Sequence, residues 1–162
     1  MASIEEIREA RLKKRDILEK KGMHPYPASS ERDISLIDVS ENFEKLIKKE
    51  NKLTVAGRLM SLRGQGQIVF ITLFDGTAEF QIVNEKNNLG EEFFQLFLDT
   101  VDIGDFLEFK GSLFNTKRGT PSLKADSWKM LTKSLRPLPE KWHGLQDVEE
   151  RYRRRYLDIL MN

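Results

Sequence analysis

The chain has 162 residues and no cysteine, and its 27 lysines and arginines nearly balance 26 aspartates and glutamates. This length predicts one compact domain with flanking arms, and the lack of cysteine excludes disulfides, thiolate nucleophiles and cysteine-built zinc sites. No apolar run approaches the ~20 residues of a membrane helix, and the N-terminus is charged from Glu5 onward. We therefore expect a cytoplasmic protein with no membrane partner. The net charge of +1 argues against a nucleic-acid partner, because such proteins usually carry a basic excess.

The first 50 residues predict two helices joined by a proline-containing linker. The expected elements are a helix over 3–21, an extended linker over 23–34 and a second helix over 38–50. Ser3 and Glu6 form a capping-box pattern for the first helix, whose thin apolar stripe predicts weak docking. Asp38 and Glu41 form the cap pair predicted for the second helix.

The pattern from 51 to 133 is that of a small β-domain. Strands are predicted over 53–62, 67–74, 78–83, 105–114 and 122–132, with one helix over 91–98. Asp75-Gly76 is a strong hairpin signal between the second and third strands. Three strands, one helix and two strands predict a five-stranded OB-fold barrel, mainly β with flanking helices. A ferredoxin-like fold is the competitor, but it needs a helix between the first two strands, where only a short glycine-containing turn is present.

The last segment, 134–162, predicts an irregular linker followed by a helix over 148–161. Asp147 and Glu150 can cap this helix, which carries one apolar stripe (Val148, Tyr152, Tyr156, Ile159, Leu160). Two interpretations of it stay open. The stripe can pack on another protein surface, which we favour, or its arginines (Arg151, Arg153, Arg154, Arg155) can form an RNA-binding patch.

Catalysis within these residues is not expected. The two histidines, His24 and His143, lie in separate connectors and do not form a metal site or a nucleophile–base pair. Gly64 and Gly66 lack the lysine and the following helix of a phosphate-binding loop, so they predict a hairpin turn.

The second strand decides whether the barrel presents a binding face, and periodicity leaves two possibilities. Apolar residues occupy both of its faces, so Phe70 is either a core residue or a solvent-facing ring. If Val69, Ile71 and Leu73 face inward, Phe70 lies outside, where OB-folds use aromatic side chains to stack bases.

The charges of the β-domain are segregated along the chain. Between 51 and 132 there are nine basic and ten acidic residues, but six of the acids lie within 91–108, which contains no basic residue. The remainder carries nine positive and four negative charges, a net +5. Four of the cations (Arg58, Arg63, Lys117, Arg118) fall on the first strand and on the loop between the last two strands, where OB-folds meet their ligands. Charge alone leaves RNA binding and an ordinary mixed surface equally open.

The residues 135–145 (LRPLPEKWHGL) and 151–158 (RYRRRYLD) closely resemble the segment that leads into the catalytic domain of class II lysine–tRNA ligases. Three shorter matches agree with this resemblance: HPYP at 24–27, VAGR at 55–58 and KRG at 117–119. The resemblance covers essentially the whole chain. It implies an N-terminal anticodon-binding region without the catalytic domain, so the fragment alone would not be catalytic and would need no cofactor. The intact enzyme would be a homodimer that uses ATP and magnesium to attach lysine to its tRNA.

The same resemblance implies roles for individual side chains in binding the anticodon loop. Phe70 matches the aromatic residue that stacks the middle uridine, and Arg63 and Gln81 match the residues that hydrogen-bond to that base. Thr120 stands where many family members have a glutamate that contacts the third anticodon base, so it is carried over only weakly. The predicted RNA-binding set is Arg58, Arg63, Phe70, Gln81, Lys117, Arg118 and Thr120.

Other functions stay open at this point. The chain could be a free-standing OB-fold protein that binds single strands without sequence preference. It could also be a protein-interaction module that docks a partner through its last helix. A membrane-associated fusion that carries a lysine-ligase module would have the same sequence in this region.

Overall fold

The computed structural model describes residues 1–139 and 145–161. In chain order the elements are α1 (Ile4–Lys20), α2 (Leu36–Glu41), α3 (Phe43–Lys49), β1 (Leu53–Gln65), β2 (Ile68–Phe74), β3 (Glu79–Glu85), α4 (Lys86–Leu89), α5 (Glu91–Thr100), β4 (Phe106–Asn115), β5 (Pro121–Thr132), α6 (Val148–Arg153) and α7 (Arg155–Met161). Among the helices of these two ranges, none has the length and apolar character that a membrane crossing requires.

The five strands close into a barrel in the order β1-β2-β3-β5-β4. Neighbouring strands are antiparallel except β3 and β5, which run parallel. The first half of β1 pairs with β4 and its second half pairs with β2. A Cβ on Gly57, near this change of partner, would lie 2.7 Å from the carbonyl oxygen of Phe74, so the close approach of the strands requires glycine. Five closed strands with α5 between β3 and β4 confirm the predicted OB-fold.

Burial shows which face of β2 points into the core. Val69, Ile71 and Leu73 are at most 1% exposed and form part of the barrel core. Phe70 therefore lies on the outer face of the strand, where it is half-buried. The register that leaves this ring accessible is the one the structure adopts.

The helix between the third and fourth strands contributes aromatic residues to the core. Phe97 of α5 is fully buried and meets Trp128 of β5 edge-on, with ring centroids 5.3 Å apart. Its ring also lies 6.3 Å from that of Phe109 in β4. Burying large aromatic rings against each other stabilises the fold both through apolar area and through favourable ring geometry. The helix ends at Thr100, two residues beyond its predicted end.

The first helix is attached by polar contacts as well as by its apolar stripe. Its predicted capping box is present, with the Glu6 N–H donating to Ser3 Oγ and the Ser3 N–H donating to Glu6 Oε2. The buried Arg11 guanidinium donates to three backbone carbonyl oxygens, those of Ile103, Ser134 and Arg136. These bonds tie α1 to the barrel more firmly than the sequence predicted.

The second predicted helix, over 38–50, is wrong in its start and in its continuity. The N-cap is Ser35, whose hydroxyl accepts the Asp38 N–H, so α2 begins before Asp38. The helical segment is then interrupted at Asn42, whose side-chain amide donates to the Asp38 carbonyl oxygen. Short polar side chains can bond to nearby backbone in this way, and they compete with regular helix formation.

The predicted C-terminal helix is also divided. Asp147 caps its start as expected, accepting N–H bonds from Glu149 and Glu150. Arg154 adopts φ −119° and ψ 52°, which separates α6 from α7. The apolar stripe nevertheless stays exposed, with Tyr152 and Tyr156 about 70% accessible.

Candidate nucleic-acid interface

The outer face of β1 and β2 brings together two of the predicted site residues. Phe70 is the cross-strand partner of Arg63, and the Arg63 guanidinium carbon lies 5.9 Å from the centre of the Phe70 ring. Directly paired residues project to the same side of a sheet, so the exposed cation stands beside the half-buried ring. An aromatic face with an adjacent guanidinium is suited to hold a flat, unstacked base.

Gln81 joins this face from the neighbouring strand β3. It pairs with Thr72 of β2, two residues along from Phe70, and its side chain therefore projects to the same side as the ring. Its Nε2 donates a hydrogen bond of 2.9 Å to Ser122 Oγ on β5. Ser122 therefore holds the Gln81 carboxamide from the β5 side, on the same face of the sheet as the Phe70 ring.

The turn between β4 and β5 carries the remaining polar candidates. Lys117, Arg118 and Thr120 are exposed, and Gly119 has φ +84°, the left-handed conformation that favours glycine. The turn is closed by bonds in both directions between Thr116 and Thr120. The cations therefore stand on an ordered turn.

Ser122 connects this turn to Gln81. Its hydroxyl accepts from Gln81 Nε2 and donates to the Thr120 carbonyl oxygen at 3.2 Å. Thr120 and Gln81 therefore belong to one hydrogen-bonded group at the edge of the face that carries Phe70. We call this face, with Arg63, Phe70, Gln81 and the β4–β5 turn, the outer face.

Arg58 does not join the outer face. It stands five residues before Arg63 on β1, which is about 16 Å at ~3.3 Å per residue. Its guanidinium lies 4.5 Å from the centre of the Phe106 ring, beside an open cavity of about 1060 Å³ that α7 also lines. Burial lowers the pKa of Arg58, and its Nε has no hydrogen-bond partner in the described residues. Its predicted RNA contact stays a prediction.

Three residues that border the outer face were absent from the predicted set. Ser122 is the hydrogen-bond partner of Gln81, and Phe114 is the cross-strand partner of Ser122. Lys124 extends its ammonium to 4.9 Å from the centre of the Phe114 ring and to 3.5 Å from Glu85. The alternation along β5 places Ser122 and Lys124 on one side of the strand, and this pattern could have been read from the sequence. The pairing of β5 with β3, which brings Ser122 to Gln81, could not be read from alternation.

The groups with shifted pKa values (Tyr26, Arg58, Asp75, Asp102 and Asp105) lie away from the outer face. Burial raises the pKa of Asp105 despite the nearby Lys133 ammonium. Burial also acts to raise the pKa of Asp102, but hydrogen bonds from Lys133 and Lys14 outweigh it and lower the value. These contacts are structural, and none of them places a general acid or base beside Phe70.

The histidines give no indication of chemistry. His24 accepts the backbone N–H of Tyr26 through Nδ1 and so shapes the linker, while His143 lies outside the described residues. Within 1–139 and 145–161, no three histidine or acidic side chains are grouped so that they could hold a metal ion.

Three of the four arginines within 148–161 form ion pairs, and the fourth, Arg155, lies 5.2 Å from the centre of the Tyr152 ring. Arg153 pairs with Glu149 at 2.5 Å and Arg154 with Glu150 at 3.0 Å, each one helical turn apart. Arg151 pairs with Asp158 at 2.6 Å. This partial neutralisation favours the interpretation in which the exposed apolar stripe, rather than the arginines, makes the contacts of this segment.

Comparison with known proteins agrees with this geometry. Residues 53–131 match the family of tRNA anticodon-type OB-fold nucleic acid binding domains. The chain is 43% identical over 160 residues to a lysine–tRNA ligase of Pelotomaculum thermopropionicum, covering 98% of this chain and 31% of that protein. It is 45% identical over 143 residues to lysine–tRNA ligase 2 of Methanosarcina mazei, covering 87% and 28%. A lysine–tRNA ligase of Clostridium perfringens is 47% identical over 146 residues, covering 90% and 28%.

These matches give the class of the barrel and the proteins that the whole chain is similar to. The barrel is an OB-fold nucleic acid binding domain. The chain is similar to lysine–tRNA ligases over most of its own length and spans about a third of the length of those relatives.

Proposed function

We propose that this chain binds the anticodon loop of a lysine tRNA on the outer face and positions that tRNA for ATP-dependent attachment of lysine by a catalytic domain outside these 162 residues. The observation that carries this proposal is the accessible Phe70 ring, with the Arg63 guanidinium beside it and Gln81 on the same face of the sheet from the neighbouring strand. It occurs in an OB-fold nucleic acid binding domain of a lysine–tRNA ligase relative.

The three side chains divide the work of holding one base. Stacking on Phe70 supplies roughly 1–3 kcal/mol per base without regard to base identity. Arg63 and Gln81 supply donors and an acceptor at the edge of the ring, where a splayed base presents its own hydrogen-bonding edge. Selectivity for a middle uridine then comes from the polar pair.

The β4–β5 turn extends this contact along the loop. Lys117 and Arg118 are exposed cations that can neutralise phosphates. Thr120 offers a hydroxyl to the third anticodon base, as donor or acceptor. We assign it a weaker contact than a carboxylate would make, because a neutral hydroxyl forms weaker hydrogen bonds than a charged group.

The wider assignments rest on the family. We assign residues 1–50 to the N-terminal arm, 51–133 to the binding domain and 134–162 to the connection with the catalytic domain. ATP and magnesium would act in the catalytic domain of the intact enzyme. We also propose that the intact enzyme forms a homodimer and is located in the cytoplasm.

The test is binding of the full chain to an RNA hairpin that carries the anticodon loop. Fluorescence anisotropy should show tighter binding to a loop with a central uridine than to a loop of scrambled sequence. Phe70→Ala should weaken binding about 5- to 150-fold, the equivalent of one lost base stack, and leave the thermal unfolding curve unchanged. Phe93→Ala is the matched control, because this ring is about half exposed on α5, outside the outer face, and its loss should not affect RNA binding.

Other results would support different functions. Equal affinity for both loops would indicate a single-strand binder without sequence preference. No binding at low salt, where phosphate contacts are strongest, would leave only a protein-interaction role. Unfolding of the Phe70→Ala protein would contradict the outer-face position of this ring.

A further inference from the structure

The side-chain carboxamide of Gln81 can recognise either pyrimidine, depending on which way round it stands. Uracil presents an N3–H donor beside the O4 acceptor, whereas cytosine presents an N3 acceptor beside the N4 amino donor. A carboxamide has one oxygen acceptor and one NH₂ donor, so a half-turn of the group exchanges the base that it fits. A base fixed in place on Phe70 is therefore selected by the orientation of the Gln81 amide.

The structure shows what sets that orientation. Ser122 is fully buried, and its hydroxyl has a single proton, which it donates to the Thr120 carbonyl oxygen. The same hydroxyl can then only accept from Gln81, and it accepts from Nε2 at 2.9 Å. The planar carboxamide geometry turns Oε1 away from β5.

The reversed orientation loses one of these bonds. With Oε1 facing Ser122, the hydroxyl would have to turn its proton to Gln81 and give up the Thr120 carbonyl. That carbonyl keeps its second donor, the Thr116 N–H, so the turn itself does not depend on the serine proton. The two amide orientations therefore differ by about one ordinary hydrogen bond, which corresponds to a population ratio of about 3- to 10-fold.

We propose that Ser122 is a positioning residue that determines pyrimidine specificity, because it holds the Gln81 carboxamide with its oxygen toward the N3–H of uracil. This inference rests on the proposed function of the outer face. Ser122 does not touch the RNA in this arrangement. It acts through Gln81, and its loss should change the choice of base more than the total affinity.

The test compares two hairpins that differ only in a uridine or a cytidine at the middle position of the loop. For Ser122→Ala, the ratio of the two affinities should fall about 3- to 10-fold, mainly through weaker uridine binding and stronger cytidine binding. Ser122→Thr keeps the hydroxyl and should retain most of the wild-type ratio. Gln81→Ala should abolish the ratio. Ser40→Ala is the matched control, because it removes a serine hydroxyl that donates to the Leu36 carbonyl oxygen in α2, outside the outer face, and it should leave the ratio unchanged.

The outcomes separate this inference from the proposed function. A wild-type protein that binds both hairpins equally overturns the proposed function and this inference with it. If Gln81→Ala loses the ratio while Ser122→Ala keeps it, only the role of Ser122 is overturned. An equal loss of affinity for both hairpins in Ser122→Ala would indicate a merely structural serine and also overturn it.

A second measurement does not depend on a folded variant. In the NMR spectrum of the free wild-type protein, one Nε2 proton of Gln81 should be shifted downfield relative to the side-chain amide of Gln67, which is exposed. Gln81 protons that match those of Gln67 would show that the carboxamide is not held, and would overturn the inference.

Discussion

Replacing Lys133 with methionine tests the buried ion pairs that join the end of β5 to the segment before β4. The Lys133 ammonium lies 2.7 Å from a carboxylate oxygen of both Asp102 and Asp105, and Lys133 and Asp105 are almost completely buried. Methionine keeps much of the side-chain volume but removes the cation, so Asp105 is left buried without its counter-charge. Breaking such a pair from one side costs about 3–5 kcal/mol. At about 2–4 °C per kcal/mol, Tm should fall by about 6–20 °C.

The loss should depend on pH in a defined direction. Burial already raises the pKa of Asp105, and without the Lys133 cation it rises further, so the folded variant takes up a proton that the unfolded chain does not. A group that binds its proton more tightly when folded loses stability as pH rises through that window. Asp102, whose pKa is lowered, acts oppositely in the wild type, where its stabilisation disappears on acidification. Both effects make the wild-type advantage largest near neutral pH and smaller in acid.

Denaturant unfolding followed by circular dichroism, at pH 7 and again at about pH 4, measures this difference. Lys52→Met is the matched control, since Lys52 pairs with Asp126 at the surface and should contribute at most about 1 kcal/mol. The double variant Lys133→Met/Asp105→Asn should recover part of the stability, because it removes the unpaired charge. A loss no larger than that of the control, or one that does not shrink in acid, would refute this account of the ion pairs.

Three further changes test separate parts of the barrel. Asn84 is fully buried, and its amide has no hydrogen-bond partner in the described residues. Asn84→Val should therefore raise the free energy of unfolding by about 1–3 kcal/mol, and a lower denaturation midpoint would contradict this. A Cβ on Gly111 would overlap a carbonyl oxygen of β5, so Gly111→Ala should lower the free energy of unfolding by about 1–3 kcal/mol or more. A Cβ on Gly64 would lie in open space, so Gly64→Ala should leave the denaturation midpoint nearly unchanged. Titration with the RNA hairpin should show that Arg63→Ala weakens binding more than Arg58→Ala does. The reverse order would place the RNA loop at the other end of β1.

Local patterns were enough to predict most of the barrel. The Asp75-Gly76 turn and the alternation along β2 predicted the hairpin correctly, and burial of Val69 then decided which side Phe70 occupies. The start of α2 was missed because Ser35 competes with Asp38 as a cap, and only the extended backbone at Ser35 selects between them. Short helices contain too few turns for periodicity to correct such an error.

The outer face could be predicted only in part, for a reason that lies in topology. Phe70 and Arg63 are close because they share a local hairpin, which the sequence shows directly. Gln81 and Ser122 are 41 residues apart and meet through the parallel pairing of β3 with β5. Nothing in either strand encodes that pairing by itself, since it follows from closure of the whole barrel. Ser122 was therefore absent from the predicted site, because a serine in a strand gives no functional signal until its pairing with β3 is known.

The small net charge is explained by where the acidic residues act. Three of the six acids within 91–108 are used inside the fold: Asp102 and Asp105 hold Lys133, and Glu108 accepts hydrogen bonds from Ser30 Oγ and the Glu31 N–H. Carboxylates engaged in this way stabilise the attachment of the N-terminal arm, and they contribute little field at a surface several strands away because solvent and counter-charges screen them. An RNA loop on the outer face would instead meet the exposed cations of Arg63 and of the β4–β5 turn. A formal charge near zero is therefore compatible with RNA binding whenever the two signs occupy different parts of the fold.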